Sequence, residues 1–289
     1  MKTNWKSDFR SAHPITFSQR FVLVSAATSE TLYHYTSAPG LKGIIERGVI
    51  WCTNAEFFND ASELGYGLKQ VDNALKTIKT DTVFADMVNE IYAAIRENLD
   101  VYAACFCERG DLLNQWHSYG ERGGGFSLGL STSDLASIIS GSDLVLCKVQ
   151  YDRQVQIDLL QAQVSTASDA LNHVVLSYEI DKKQLEELQR HSLRAVLSSL
   201  SIVVAAMKDP VFRGEEEWRL IHYRSKVLEP REDVAFRVSG QLLIPYIETR
   251  VCYKDTNVLP LHEVIVGPTV NRLADRSVRK RNDGFGWHV

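Results

Sequence analysis

Short runs with strand-type alternation recur toward both ends of this 289-residue chain, separated by long helical stretches. That separation constrains the fold more than any other feature. A period of two gives a segment one apolar and one polar face, whereas a period of 3.6 gives an apolar stripe. Residues 31–35, 49–53, 103–107, 126–130, 217–223, 234–238, 242–248 and 263–266 read as strands. Residues 39–47 carry Leu41, Ile44 and Ile45 and end at Gly48, where a helix C-cap belongs. Asp60 and Glu63 have the spacing of a capping box and are both read as caps. The helix they open carries Leu68, Val71, Leu75 and Ile78 on one face, and a further helix carries Phe84, Val88, Ile91 and Ile95. Residues 155–207 are mainly helical, with a stripe of Leu193, Val196, Leu197, Leu200, Val203, Val204 and Met207.

Strands and helices that segregate in this way favour an α+β fold over a doubly wound sheet. No internal repeat or linker interrupts the chain. Residues 1–289 therefore read as a single domain, with mainly helical elements at 65–100 and 155–207 packed on sheets.

Composition narrows the partners. A formal net charge of −4 argues against a dedicated DNA-binding protein. The polar N-terminus has no hydrophobic signal core, and the apolar run near Ile202 falls far short of the roughly 20 residues a membrane helix needs. Five cysteines without a disulfide-like framework fit a reducing cytosol, so a cytoplasmic protein with no membrane contact is expected. Cys105 and Cys107 form a CxC pair that points both thiols to one strand face. With no CxxC partner and no metal spacing among the histidines, buried structural cysteines are expected and no metal site.

The candidate functional residues are polar groups on strands far apart in sequence. His34 alternates with Tyr33 and Tyr35, on the same side as Thr36, and suits contact with a ligand hydroxyl or phosphate. Trp116 and Tyr119 sit in a glycine-flanked segment read as an irregular turn, where either ring could stack on a ligand or anchor the turn in the core. Glu215, Glu217 and Arg219 share one face of a strand, set either for catalysis or as a solvated ion pair of little energetic value. Asn54 and Asn59 lie where a strand becomes a helix and could orient a ligand. Lys208 is expected to be solvated.

LYHYTS, the helix ending in Gly48, TNAEFFNDASE, CFCE with NQWHSYG and GGFSLGL, EEEWRLI and EVIVGP occur in this order over roughly residues 31–268. Together they resemble the bacterial domain-of-unknown-function family DUF2971, which in turn looks distantly like the ADP-ribosyltransferase fold. That resemblance implies two bent, mainly antiparallel sheets forming a cleft, with a helical insertion. It implies NAD as substrate, with His34 and Thr36 fixing the ribose or adenosine side and Trp116 or Tyr119 stacking the nicotinamide. Asn54 and Arg219 join the binding set. Glu217 would stabilise the developing ribose cation, and Glu215 would orient the acceptor. The acceptor would be a protein side chain, a nucleic-acid base or water, and a role as toxin or phage-defence effector, with a cognate inhibitor or defence-system partner, follows from resemblance alone. Two other readings stand beside it: a non-catalytic module that binds a nucleotide or partner, and an RNA-directed nuclease or phosphotransferase in which His34, Lys208 and Arg219 hold phosphate.

Overall fold

The computed structural model describes residues 29–58, 62–77, 90–91, 93–95, 100–223 and 233–268. Strand β1 (Thr31–Thr36), helix α1 (Ala38–Arg47) and strand β2 (Val49–Asn54) follow one another directly, as the sequence predicts. Ser37 caps α1 by accepting from Gly40 N at 3.2 Å, and Pro39 lies in the first turn, where its missing N–H costs nothing. Gly48 ends the helix at φ 66°, a left-handed conformation that a side chain would strain.

The chain continues through α2 (Ser62–Thr77), β3 (Val101–Cys107), α3 (Leu113–Ser118), β4 (Phe126–Ser131), α4 (Thr132–Ile139) and β5 (Leu144–Lys148). Two long helices follow, α5 (Arg153–Ser177) and α6 (Lys182–Ala205), and then β6 (Glu217–Tyr223), β7 (Val234–Ser239), β8 (Leu242–Arg250) and β9 (Leu261–Val266). The architecture is α+β and the pairs between named strands are antiparallel.

The expectation of two separate sheets is corrected: the strands form one hydrogen-bonded sheet in the order β7-β8-β2-β3-β1-β4-β9, with β6 and β5 branching from β3. The reason lies in β3. One of its edges pairs with β6 along its whole length, from Val101–Tyr223 to Cys107–Glu217. The other edge is shared, with β2 at Tyr102 and Ala103 and β1 at Cys107. Residues 104–106 have no strand across that edge among the described residues. β1 and β2 diverge from the gap, and α1, which joins the end of one to the start of the other, closes the wedge.

β3 is apolar on both faces because each face carries a core. On one side Val101, Ala103 and Ile221 meet α2, α5 and α6 through Val71, Leu171, Val196, Leu200 and Val203. On the other, Tyr102, Ala104, Phe106, Trp218 and Leu220 pack with Leu41 and Ile44 of α1 and Leu135 of α4. Each fully buried aliphatic side chain contributes about 1.5–3 kcal/mol relative to exposure. The helical stripe read along residues 193–207 therefore faces a core, as its spacing predicts.

Three elements escape the sequence reading. Helices α3 and α4, of six and eight residues, are too short to show a period. Strand β5 is covered on both faces and so shows no alternation. Asn59, Asp60, Ile78, Phe84 and Val88 lie outside the described residues, while Ile91 and Ile95 join the first core. Among the described residues no helix is long and apolar enough to cross a membrane.

Candidate functional site

The wedge between β1, α1 and β2 holds a cavity of about 560 Å³, a size that suits a small-molecule ligand. Gly40, Gly43, Ile44 and Arg47, at helical spacing, form the α1 wall. Val49, Trp51 and Thr53, alternate residues of β2, form the opposite wall, and residues 103–106 of β3 lie at the apex. Gly40 lets β1 and α1 approach closely, since a Cβ there would lie 2.1 Å from Thr36 Oγ1.

Four of the predicted residues, His34, Thr36, Tyr119 and Arg219, line this one cavity although they come from three distant segments. Glu215, Glu217, Asn54 and Trp116 do not line it. Of the three groups whose meeting the mechanism requires, His34 and Tyr119 converge and Glu217 stands behind the wall.

His34 bridges the gap in the sheet. Its Nδ1 lies 2.9 Å from the Cys105 carbonyl, and because a carbonyl only accepts, Nδ1 carries the proton and donates. The imidazole thus occupies the place that a strand N–H would take on β3. Burial lowers the His34 pKa below its ordinary 6.5, so the ring is neutral at physiological pH and Nε2 is left as an acceptor.

Tyr119 follows α3, its N–H on Gln115 O, with its phenol pushed up by burial. Trp116 is corrected from a stacking candidate to a core residue. It is 2% exposed, donates from Nε1 to Asp111 at 2.7 Å and meets the Tyr35 ring edge-on at 4.8 Å. The segment is a short helix rather than an exposed turn, and its apolar side points inward. Asn54 is likewise structural. Its Oδ1 accepts from Glu56 N and its Nδ2 donates to Asp100, which caps the short helical turn after β2.

Beneath Arg219 lies a cluster of five buried or half-buried charges. Arg219 donates from Nε to Glu217 at 2.7 Å and from Nη2 to Glu63 at 2.6 Å, and its Nη1 donates to Ala205 O. Lys208 Nζ lies 2.6, 2.8 and 3.2 Å from Glu215, Glu63 and Glu217. Neither expectation for the acidic strand holds: Glu217 and Arg219 are neither solvated nor open to the cavity as a pair. Lys208, expected in solvent, is 2% exposed. Glu63 is no mere cap, for its carboxylate joins Arg219 on β6 to Lys208 after α6 and itself faces the cavity. A signal for it exists in the sequence. Glu63, Gly67, Gln70 and Ala74 share the buried side of α2, and an acid on such a stripe needs a buried cation.

Burial alone would raise the Glu217 carboxyl, but Arg219 and Lys208 beside it bring it from 4.5 down to about 2. Burial raises Glu215, against the pull of Lys208. Glu217 is therefore a fixed negative charge at neutral pH rather than a proton donor. A carboxyl whose folded pKa lies below its unfolded value stabilises the fold above that value and loses the contribution as pH falls through the folded one. Unfolding free energy, measured by urea titration, is thus expected to fall as pH drops from 4.5 toward 2, less steeply in Glu217→Gln. His34 adds an earlier loss below 6.5, because the unfolded imidazole takes up a proton that the folded one does not.

Cys105 lines the cavity, which corrects its reading as a sealed core thiol, while Cys107 is buried. Burial holds the Cys105 thiol well above its ordinary pKa, so it is a weak nucleophile. Among the described residues no group of three or more His, Cys, Asp or Glu is placed to hold a metal ion.

The protein is α+β, with a cavity at a fork in its sheet. Residues 115–220 match the family model described as a protein of unknown function, DUF2971. The match bears out the resemblance to DUF2971 over these residues, which include Trp116, Tyr119, Glu215, Glu217 and Arg219. No curated protein and no solved structure matches the chain.

Proposed function

We propose that the chain is an NAD-dependent enzyme of ADP-ribosyltransferase type, with the wedge cavity as a cleft of the kind that fold uses. The observation that carries this reading is the convergence of His34, Thr36, Tyr119 and Arg219 on one cavity beside a carboxylate cluster. In the reaction the bond between ribose C1′ and the nicotinamide nitrogen breaks, and its electron pair leaves with neutral nicotinamide. C1′ becomes cationic, the acceptor's oxygen or nitrogen bonds to it, and the acceptor's proton passes to water. His34 Nε2 accepts from a ribose hydroxyl, and Tyr119 stacks the nicotinamide. Glu63, the carboxylate that lines the cavity, meets the sugar cation, while Glu217 sets the position of Arg219 behind it. Glu215 is bound to Lys208 and takes no part in orienting the acceptor.

A non-catalytic nucleotide-binding module is the second reading. The carboxylates favour it: Glu217 is held behind the wall, and the same two cations, Arg219 and Lys208, offset the charge of both Glu217 and Glu63. The RNA-directed alternative loses one phosphate contact, since Lys208 is engaged by three carboxylates. Five free cysteines support a cytoplasmic protein, and a protein or nucleic-acid acceptor and a toxin or defence role rest on resemblance.

Incubation of the purified protein with NAD and cell extract tests both readings. Release of nicotinamide, weakened in His34→Ala, is the expected result. Saturable NAD binding without release supports the module, and no binding at all ends both.

A further inference from the structure

Three arginines line the cavity, and two of them are matched by carboxylates: Arg47 by Glu248, and Arg219 by Glu63 and Glu217. Arg237 is different. It reaches from the edge strand β7, across β8, to the cavity wall, where its Nη2 donates to Thr53 Oγ1 at 3.3 Å. It has no carboxylate within ion-pair distance among the described residues. Its Nε–H is buried and has no hydrogen-bond partner among the described residues. A buried donor left without a partner costs stability, and the cation that carries it faces the cavity with no carboxylate beside it among the described residues.

We infer that Arg237, with the Thr53 hydroxyl beside it, is an anion site that binds a phosphate group of the ligand in the wedge cavity. Guanidinium Nε and Nη form a planar fork whose two N–H bonds match two phosphate oxygens, which neither a lysine nor a paired arginine offers. A phosphate against this guanidinium balances a cation that meets no carboxylate among the described residues. The aromatic lining supplied by Trp51, Phe57 and Phe58 near Thr53 suits the ring of a nucleotide rather than a free inorganic ion. The ligand class is therefore a nucleoside diphosphate or a dinucleotide. Its nucleotide part rests on the NAD reading above, whereas the anion site itself stands on Arg237.

Calorimetric titration of the full chain with ADP, adenosine and inorganic pyrophosphate separates these two layers. Wild type is expected to bind ADP at least tenfold more tightly than adenosine. Arg237→Gln weakens ADP about 10–100-fold, the scale of one charge-assisted contact, and leaves adenosine unchanged. Arg237→Lys, which keeps the charge and loses the fork, falls between. Thermal melts of both variants check that the edge strand still folds. Pyrophosphate binding that depends on Arg237, in a protein indifferent to ADP and NAD, upholds the anion site and ends the nucleotide reading. ADP and pyrophosphate binding unchanged in Arg237→Gln overturns the proposal. So does a wild type that binds neither, or an equal loss of ADP and adenosine in the variant.

Discussion

Arg219→Leu is expected to lower the unfolding free energy by about 3–5 kcal/mol, the usual cost of breaking a buried ion pair from one side. The side chain is 2% exposed and holds Glu63, Glu217 and the Ala205 carbonyl together. Without it, three carboxylates share the single cation of Lys208. The loss comes from the charges left behind, not from the worth of the intact cluster, because an ion network of this kind is roughly neutral against an apolar replacement of equal volume. Replacing Arg219 together with Glu63 and Glu217 by apolar residues should therefore cost less than Arg219→Leu alone. Urea denaturation at neutral pH measures both. A single-variant loss below about 1 kcal/mol, the scale of an exposed pair, would mean that water reaches the cluster and screens it.

Glu63→Gln is expected to slow nicotinamide release about 10²–10³-fold, the cost of removing one preorganised electrostatic contact, while NAD affinity changes little. Glutamine keeps the shape and, through its carbonyl oxygen, one of the two contacts to Arg219 and Lys208. Its NH2 meets the other donor, and the charge proposed to stabilise the ribose cation is gone. The fold should survive, since Arg219 keeps both contacts to Glu217, at 2.7 and 3.0 Å, and Lys208 keeps Glu215. Glu217→Gln is the comparison. It removes the residue that positions Arg219, so it should cost stability as well as rate. A variant pair in which Glu217→Gln abolishes release and Glu63→Gln leaves it intact would transfer the cationic contact to Glu217.

Much of the fold was legible because local rules act over a few residues. The β1–α1–β2 unit follows from alternation in residues 31–35, the apolar spacing of Leu41, Ile44 and Ile45, and Gly48 at the helix end. The stripe along α6 follows from its period. Short elements escaped, since six or eight residues are too few to establish a period, and a strand covered on both faces shows no alternation. In the site, alternation was enough to put His34 and Thr36 on one side of a strand. It was not enough to tell which groups on one face of β6 reach the cavity: Glu217 and Arg219 share a face, yet only Arg219 lines it.

The sequence by itself therefore determined the α+β class, the helix ends and the polar faces of the strands, all properties of neighbours along the chain. Only the tertiary structure decided that β3 lends one edge to two strands, opening a gap that His34 spans and a cavity fills. It also decided that Glu63, 156 residues from Arg219, ends beside it. Which charges become buried together depends on how distant segments pack, and the penalty for burying any one of them alone is what compels the grouping.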